Sequence, residues 1–234
     1  IPRRRYFSQA LLHHQRGPLL EFHRFCTMTM VEREIFQLNR IYLGRTFFDE
    51  SYARLLQPQA VYRGEFHDIL RPEFAQTRWC LENAEPHTLV SVISGNPVKG
   101  SVFLLRTASM LAGKYPDLKW TLIGNLYGVP ALELKRLLRD PVLKRAVQFI
   151  GFQDAAGMAQ AFRQARAFVL TSFAENESLT LQEAQAMGMP CIASWMGGVP
   201  SMMEDNRSGL FYMPGDSAGM MEAVRRVFTD DELA

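Results

Sequence analysis

Two glutamates, Glu175 and Glu183, stand eight positions apart on either side of a polar loop and the start of a helical pattern. The residues that open the stretch between them are Asn176, Glu177, Ser178 and Leu179. Backbone N–H groups at a helix start bind anions, and the helix dipole adds a positive end. Eight helical positions span about 12 Å, which is about the length of a sugar–diphosphate–ribose unit. The segment therefore predicts a site where amides hold a diphosphate and the two acids accept hydrogen bonds from sugar hydroxyls.

The residues that follow favour this interpretation over a structural one. Two glutamates at a helix start are also common as surface residues or caps. Here, however, the helix leads into Gly188-Met189-Pro190, then into an apolar strand ending at Ser194, and then into the turn Gly197-Gly198-Val199-Pro200. A strand, a polar loop, a helix and a second strand with a glycine turn form one supersecondary unit. We expect that unit to present Glu175 and Glu183 to a ligand.

A lysine on a glycine-containing turn is the second feature that suggests chemistry. The turn Ser94–Gly100 follows an apolar strand-like run and carries Gly95, Asn96 and Lys99. A lysine ammonium on such a strand-to-helix turn can bind a phosphate as a point charge. An exposed lysine at a helix start without any ligand is the alternative. Glycine lets the backbone approach a ligand closely, so Gly95 and Asn96 are candidate binding residues with Lys99.

Two further loops contain a glycine at the end of a predicted strand. They are Gly124-Asn125 and Gly151-Phe152. Glycine permits close approach to a ligand, but it equally permits a tight turn. Both interpretations stay open, and Gly124 and Phe152 complete the set of candidate binding residues.

Alternating strand and helix patterns must position these loops. Strands are predicted at Thr88–Ser94, Lys119–Gly124, Val147–Gly151, Ala167–Thr171, Pro190–Ser194 and Gly209–Met213. Helices are predicted at Gly100–Lys114, Pro130–Arg139, Ala155–Ala165, Leu179–Met187, Val199–Glu204 and Ala218–Phe228. This alternation indicates an α/β fold with a Rossmann-like, doubly wound parallel sheet. In such sheets the ligand crevice lies beyond the carboxyl ends of the strands, where all four loops fall.

The first third of the chain has a different pattern. Two amphipathic helices are predicted at Leu19–Asn39 and Phe47–Leu56, with short strands at Ile41–Gly44 and Ala60–Tyr62. Residues 64–86 contain Pro72, Trp79 and Pro86 and show little periodicity, which indicates a linker or crossover. We therefore divide the chain into a partial α/β segment at residues 1–82 and the Rossmann-like domain at residues 83–234.

Composition excludes several classes of function. The net charge is only +2, and there is no arginine stripe of the kind that binds nucleic acid. The three cysteines are far apart and lack metal-ligand spacing, which favours a reduced, cytosolic setting without structural zinc. No apolar run approaches the length of about 20 residues needed to cross a bilayer. The sequence lacks the metal- and phosphate-binding motifs Asp-x-Asp, HExxH and the Walker loop, so we expect no metal. It also lacks Gly-x-Ser-x-Gly, so we expect no serine nucleophile.

The segment from Glu175 to Glu183 resembles the Glu-x7-Glu motif of retaining glycosyltransferases of family 4, which have the GT-B architecture of two Rossmann-like domains. The resemblance implies that Glu175 contacts the donor sugar, that Glu183 contacts the nucleotide ribose, and that Lys99 binds the leaving diphosphate. Two departures stand out. Asn176 and Ser178 replace glycines that are commoner in the family, and an arginine that often precedes the Lys-Gly turn has no counterpart at Ile93, Ser94 or Asn96.

Weaker resemblances extend toward the start of the chain. Gly44-Arg45-Thr46 and Asp49 are similar to the end of the acceptor-side domain, and Arg71-Pro72-Glu73-Phe74 is similar to the segment that crosses between the domains. Arg45 follows a predicted strand, so it could face a cleft between domains or pair with Asp49 one helical turn on. Because the chain opens without Met and stops just after a helical pattern, we expect a fragment.

The resemblance implies transfer of a hexose from a UDP- or GDP-sugar to an acceptor hydroxyl with retention, in polysaccharide or glycan synthesis. It implies a glycan or lipid-linked acceptor, no cofactor beyond the donor, no nucleic acid, and a cytoplasmic location with peripheral contact at the inner face of the membrane as one option. This fragment alone is expected to bind nucleotide weakly and to be inactive. Two alternatives stay open: a non-catalytic nucleotide-sugar-binding module, and a GT-B epimerase or phosphorylase-like enzyme.

Overall fold

The computed structural model describes residues 17–64, 69–127 and 131–232. These residues form two compact units. The first unit contains residues 17–44 and 49–64, and the second contains residues 45–48, 69–127 and 131–232. The predicted division into residues 1–82 and 83–234 stays a prediction.

The first unit consists of helices and one small parallel sheet. Helix α1 (Gly17–Leu38) is followed by strand β1 (Ile41–Leu43), helix α2 (Phe47–Leu56) and strand β2 (Val61–Arg63). The first two residues of α2 belong to the second unit. Strands β1 and β2 pair in parallel, with Tyr42 opposite Tyr62. All four elements lie within three residues of their predicted bounds.

The second unit alternates strands and helices. Its first half contains α3 (Pro72–Gln76), β3 (Thr88–Ile93), α4 (Ser101–Lys114), β4 (Lys119–Gly124), α5 (Ala131–Leu137), α6 (Pro141–Ala146) and β5 (Val147–Gly151). Its second half contains α7 (Ala155–Gln164), β6 (Ala167–Leu170), α8 (Leu179–Ala186), β7 (Cys191–Ser194), β8 (Leu210–Tyr212) and α9 (Ser217–Thr229). Short 3-10 turns occupy Leu81–Asn83, Pro97–Lys99 and Val199–Ser201.

All six strands of the second unit are parallel, in the order β5-β4-β3-β6-β7-β8. This is the doubly wound Rossmann order, in which the direction of winding reverses between the first and fourth strands, here β3 and β6. The predicted fold class is therefore confirmed. The loops that begin at Ser94 and Thr171 leave these two strands side by side at the carboxyl edge, where the fold places its crevice.

Two hydrophobic layers cover the sheet. Helices α4, α6 and α9 pack on one face, and α3, α7 and α8 pack on the other. The period of two along β3 divides its side chains between these faces, with Leu89 and Ile93 on one side and Val90 on the other. Across the buried centre, the indole of Trp120 donates to Ser91 Oγ at 3.0 Å, and Ser91 donates to the Val169 carbonyl at 2.7 Å. This chain of bonds joins β4, β3 and β6 without leaving a buried donor unsatisfied.

Three sequence predictions need correction. The helix predicted at Pro130–Arg139 is seen at Ala131–Leu137, with Pro130 outside the described residues, and a separate helix α6 follows it. The Asp140-Pro141 pair starts α6, because the Asp140 carboxylate caps the helix by accepting from the Val142 amide at 2.9 Å. Hydrogen bonds from the Ser109 hydroxyl and from this amide lower the pKa of Asp140 below its ordinary value. The helix predicted at Val199–Glu204 is only a 3-10 turn. The crossover at 64–86 contains α3, whose Phe74 is fully buried.

Within the described ranges, no helix is both long and apolar enough to cross a lipid bilayer.

Candidate functional site

The loops after β3 and β6 are bonded directly to each other at the carboxyl edge of the sheet. The amide of Phe173 donates to the Val98 carbonyl at 2.6 Å, and Thr171 Oγ1 donates to the Lys99 carbonyl at 2.9 Å. Gly100 makes this approach possible. Its φ is +69°, and a Cβ there would lie 2.0 Å from the Thr171 carbonyl oxygen. Glycine is thus required by the way the two loops meet.

Lys99 and Glu175, the two residues predicted to act on diphosphate and sugar, contact each other. The ammonium Nζ lies 2.6 Å from Glu175 Oε2, and the Ser172 hydroxyl donates to the same oxygen at 3.1 Å. The lysine side chain is 39% exposed and the glutamate side chain 10% exposed, so an incoming anion can reach the ammonium. The two motifs, 76 positions apart in sequence, therefore form one site.

A third loop, which follows β7, supports the backbone of Glu175. The amide of Gly198 donates to the Glu175 carbonyl at 3.0 Å. Gly197 has a φ of +57°, and a Cβ at this position would lie 1.9 Å from the same carbonyl oxygen. The Gly-Gly turn predicted from sequence thus packs directly beneath the candidate sugar contact, in the conformation that only glycine adopts without strain.

The loop between Glu175 and α8 is bound to the segment Arg45–Phe48, which belongs to the same unit. Thr46 Oγ1 donates to Asn176 Oδ1 at 2.6 Å. The Arg45 Nε atom lies 3.3 Å from Glu177 Oε2, and the Glu177 side chain is only 2% exposed. Gln182 donates to the other carboxylate oxygen of Glu177. The structure therefore places Asn176 and Glu177 at the site, but their side chains serve to hold the loop.

Ser178 and Leu179 form the start of helix α8. Ser178 is the N-cap, and its hydroxyl accepts from the Leu181 amide at 3.4 Å. Its own amide points to the Met202 sulfur at 3.4 Å, so that N–H is already occupied. The amides of Leu179 and Thr180 have no hydrogen-bond acceptor among the described residues. These two N–H groups are the ones that the helix start leaves available for an anion.

Glu183 does not share the exposed surface of Lys99 and Glu175. Its side chain is 0% exposed, and the Arg71 guanidinium binds it from Nε to Oε1 at 2.6 Å and from Nη2 to Oε2 at 2.8 Å. The Arg71 side chain is 35% exposed and covers the carboxylate. This pairing raises the pKa of Arg71 above its ordinary value. The predicted contact between Glu183 and a ribose stays a prediction, and Arg71 stands in front of it.

Gly95 and Asn96 lie in the loop after β3, beside a hollow of about 250 Å³ that is lined by this loop, Phe103, Glu133 and Phe173. Gly95 is buried. The exposed Asn96 caps the 3-10 turn that carries Lys99, accepting from the Val98 amide at 3.2 Å. Its side chain therefore orients the turn that presents the lysine.

Gly124 and Phe152 end the next two strands outward from β3. A Cβ on Gly124 would lie 2.2 Å from the Ile93 carbonyl oxygen, so the packing of β4 against β3 is enough to require glycine there. Phe152 is 78% exposed at the end of the edge strand β5, two strands and about 10 Å from β3. Neither residue contacts the Lys99–Glu175 pair.

Sequence reasoning missed the roles of Arg71 and Arg45. The sequence assigns Arg71 only to a crossing segment, and it leaves open whether Arg45 faces a cleft or pairs with Asp49. The structure pairs Glu175 with Lys99, Glu177 with Arg45, and Glu183 with Arg71. Nothing in local spacing gives such pairs, since Arg71 and Glu183 are 112 positions apart. The sequence gives one indication: Glu175, Glu177 and Glu183 have no cation near them in sequence, so their cations must come from distant parts of the chain.

Metal binding has no support in the part of the chain that the structure describes. No group of three or more His, Cys, Asp or Glu side chains there could hold a metal ion. That no cofactor is needed stays a prediction.

Comparison with known proteins gives a family. The sequence model of the family Glycosyl transferases group 1 matches residues 77–234. A D-inositol 3-phosphate glycosyltransferase from Paenarthrobacter aurescens is 29% identical over 161 residues, which cover 66% of this chain and 40% of that protein. The chain thus spans less than half the length of this relative.

Solved structures with low sequence identity share the fold. A sucrose-phosphate synthase from Thermosynechococcus elongatus superposes with a TM-score of 0.75 at 22% identity, over 89% of this chain and 54% of that one. HepE from Anabaena, solved in complex with UDP, superposes with a TM-score of 0.66 at 17% identity, over 83% of this chain and 55% of that one. At these identities the likeness establishes the architecture alone.

Proposed function

Because this chain belongs to the Glycosyl transferases group 1 family, we propose that it binds a nucleoside-diphosphate sugar and serves its transfer to an acceptor hydroxyl. The observation that carries the proposal is the contact of 2.6 Å between Lys99 and Glu175 at the switch point of the sheet. It brings a phosphate-binding cation and a hydroxyl-binding acid to the place where doubly wound folds bind ligands.

The chemistry follows from where charge develops. As the bond from the anomeric carbon to the leaving oxygen breaks, the sugar becomes oxocarbenium-like and negative charge grows on the diphosphate. The Lys99 ammonium and the amides of Leu179 and Thr180 face that charge. Such interactions strengthen in the transition state, so they accelerate the reaction rather than merely hold the substrate.

Donor binding exchanges the partners of the ion pair. In the structure Lys99 neutralises Glu175. A diphosphate offers the ammonium a doubly charged partner, and the released carboxylate is then able to accept hydrogen bonds from hydroxyls of the hexose. The pair therefore keeps both groups in place, and each turns to its own half of the donor.

The finer parts of the proposal rest on resemblance. Retention of configuration is supported by the Glu-x7-Glu spacing, which is similar to that of retaining enzymes. A UDP- or GDP-sugar donor is supported by the fold shared with HepE, which was solved with UDP. We further propose a glycan or lipid-linked acceptor in polysaccharide or glycan synthesis. Three free cysteines agree with a cytoplasmic enzyme, with peripheral contact at the inner membrane face.

The test is direct binding followed by turnover. The chain is titrated by calorimetry with UDP, GDP and their hexose conjugates, and donor hydrolysis and transfer are then assayed. We expect saturable binding of at least one nucleoside diphosphate. Binding across the panel without any turnover, in a chain extended to the length of its relatives, would favour a binding module. If no nucleotide bound, the proposal would be wrong.

A further inference from the structure

The segment Arg45–Phe48 is bonded to two loops at the carboxyl edge of the sheet, those after β6 and β7. In the first loop, Thr46 Oγ1 donates to Asn176 Oδ1 at 2.6 Å. In the second loop, the Ser201 hydroxyl oxygen accepts from the Phe47 amide at 3.2 Å. The segment and both loops belong to the second unit. The segment therefore connects two loops that follow neighbouring strands.

Thr46 is the buried part of this segment, with 5% of its surface exposed. It fills the space beside Gly198, where a Cβ would lie 2.6 Å from Thr46 Oγ1 and 2.0 Å from the Asn176 carbonyl oxygen. Position 198 therefore has to be glycine for Thr46 and Asn176 to meet there. Such close packing restricts side-chain movement, so the Thr46 hydroxyl keeps its direction toward Asn176.

The same junction holds the backbone of Glu175. Asn176 follows Glu175 in the chain, and the Gly198 amide donates to the Glu175 carbonyl at 3.0 Å. Asn176 and Gly198 both pack against Thr46. A displacement of this loop would therefore move the Glu175 carboxylate with it.

Donor binding increases the importance of that backbone. In the structure the Glu175 carboxylate lies 2.6 Å from Lys99 Nζ and accepts from the Ser172 hydroxyl at 3.1 Å. In the proposed function, a diphosphate takes the place of Glu175 as the partner of Lys99. The carboxylate is then oriented by Ser172 and by the loop that Thr46 and Asn176 hold.

The groups proposed to bind the diphosphate are held by other contacts. Asn96 caps the turn that carries Lys99. The amides of Leu179 and Thr180 belong to helix α8, which packs in the core. Because these contacts do not pass through Thr46, a looser loop after β6 should leave the diphosphate site intact.

On the basis of the proposed function, we infer that Thr46 is a positioning residue for the hexose half of the donor. Its hydroxyl fixes Asn176, the loop fixes Glu175, and Glu175 accepts hydrogen bonds from hexose hydroxyls. A ligand-contacting group has to be held within about 0.5 Å of its productive geometry by the residues behind it. The bond between Thr46 and Asn176 therefore acts on the affinity for the sugar and not on the affinity for the nucleotide.

The experiment measures dissociation constants by calorimetry for UDP, UDP-glucose, UDP-galactose, UDP-N-acetylglucosamine, GDP and GDP-mannose. For the conjugate that binds the unaltered chain most tightly, the readout is its dissociation constant divided by that of the free nucleoside diphosphate. We expect Thr46→Val, which removes the hydroxyl and keeps the shape, to raise this ratio about fivefold or more, the value of one hydrogen bond. The nucleoside diphosphate itself should bind as before. Thr46→Ser, which keeps a hydroxyl, should keep the ratio of the unaltered chain.

Thr107→Val is the matched control. Thr107, on helix α4, is 0% exposed, and its hydroxyl donates to the Phe103 carbonyl at 3.1 Å and lies 2.9 Å from Ser217 Oγ. The change is the same as at Thr46, at a buried hydroxyl that is bonded to other elements. It should lower the urea midpoint as Thr46→Val does and leave the ratio unchanged. The control thus separates a loss of stability from a loss of positioning.

Asn176→Ala tests the proposed route and does not depend on the folding of Thr46→Val. It removes the acceptor of the same hydrogen bond at a half-buried position, so it should also raise the ratio. The double variant Thr46→Val/Asn176→Ala should raise it no further than Asn176→Ala alone, because the two changes remove one bond. Circular dichroism establishes that each variant is folded.

Three results overturn the inference. The first is an unchanged ratio in folded Thr46→Val or in Asn176→Ala. The second is a ratio for Thr46→Ser as high as that for Thr46→Val, which would show that the hydroxyl is not the acting group. The third is a double variant in which the two effects add. If the unaltered chain bound none of the nucleotide sugars, the proposed function itself would be wrong, a result distinct from all three.

Discussion

The ammonium of Lys99 and the carboxylate of Glu175 share one short contact, yet the proposed function gives them different ligands. Sequence alone led to both residues, because a Lys-Gly turn and a Glu-x7-Glu segment have recognisable local spacing. It could not lead to their pairing with each other, nor to the cations of Glu177 and Glu183. Those pairs join residues more than a hundred positions apart in two cases, and only the tertiary fold brings them together.

Substitutions at the pair should separate the two roles. Lys99→Met removes the diphosphate contact, so we expect UDP to bind about tenfold more weakly or worse, as for loss of one charge-assisted hydrogen bond. Glu175→Gln frees the ammonium from its carboxylate, so UDP should bind as well as before or more tightly, while a UDP-hexose loses its advantage over UDP. Titration calorimetry with both ligands measures the difference.

Lys119→Met is the control for this pair, because Lys119 stands at the opposite end of the same sheet, on strand β4, and is 65% exposed. Its substitution should leave both affinities unchanged. Weaker UDP binding by Glu175→Gln, equal in size to that of Lys99→Met, would show that the acid serves the nucleotide and would contradict the assignment.

At the scale of elements, the loops at the carboxyl edge of the sheet need glycine at Gly100 and Gly197, because the backbone there has a positive φ and lies against a neighbouring carbonyl. The sequence predicted every strand of the large sheet, because short apolar runs bounded by turns are strong local patterns. The sequence does not predict helix α6, because six residues are too few to show a period, and it predicts a helix where the structure has only a 3-10 turn at Val199–Ser201. The meeting of the loops after β3 and β6 at Gly100 is a tertiary contact that the sequence does not show.

A matched pair of glycine substitutions tests that meeting. Gly100→Ala puts a Cβ 2.0 Å from the Thr171 carbonyl at a φ of +69°, so we expect the free energy of unfolding to fall by about 2 kcal/mol or more. Gly113→Ala, in helix α4 with nothing within 4 Å of the added Cβ, should raise it by about 0.5–1 kcal/mol. Urea denaturation measures both values.

The Gly100 variant should also lose affinity for UDP, because its loop carries Lys99. The Gly113 variant should keep that affinity. Equal stability of the two variants would mean that the loops after β3 and β6 are not locked together in solution.

At the scale of the whole molecule, the large sheet is protected unevenly. Strands β3 and β6 have neighbours on both sides and almost fully buried side chains, whereas β5 is an edge strand with Gln148 and Phe149 exposed. The sequence predicted the parallel sheet but not which strands are central, because strand order depends on the crossovers rather than on the strands themselves. That order is what sets the two motif loops next to each other.

Amide hydrogen exchange followed by mass spectrometry should reproduce this order. We expect the slowest exchange in β3 and β6, which open only with the unit as a whole, and faster exchange in the edge strand β5, which can separate locally. Peptides that cover Val147–Gly151 and Thr88–Ile93 give the comparison within one experiment. Equal protection in the two peptides would contradict the strand order.

The three acid–cation pairs around α8 have a consequence for how quickly a ligand finds the site. Because each of the three carboxylates is paired with a cation, the three pairs together carry no net charge, and the electric field that they produce in the surrounding water is weak. We therefore expect a diphosphate to bind without electrostatic steering, with an association rate constant that varies little with ionic strength. The attraction between the diphosphate and the cations of the site then acts only at contact distance. Differences in affinity between ligands at this site then come from the dissociation rate constant and not from the association rate constant.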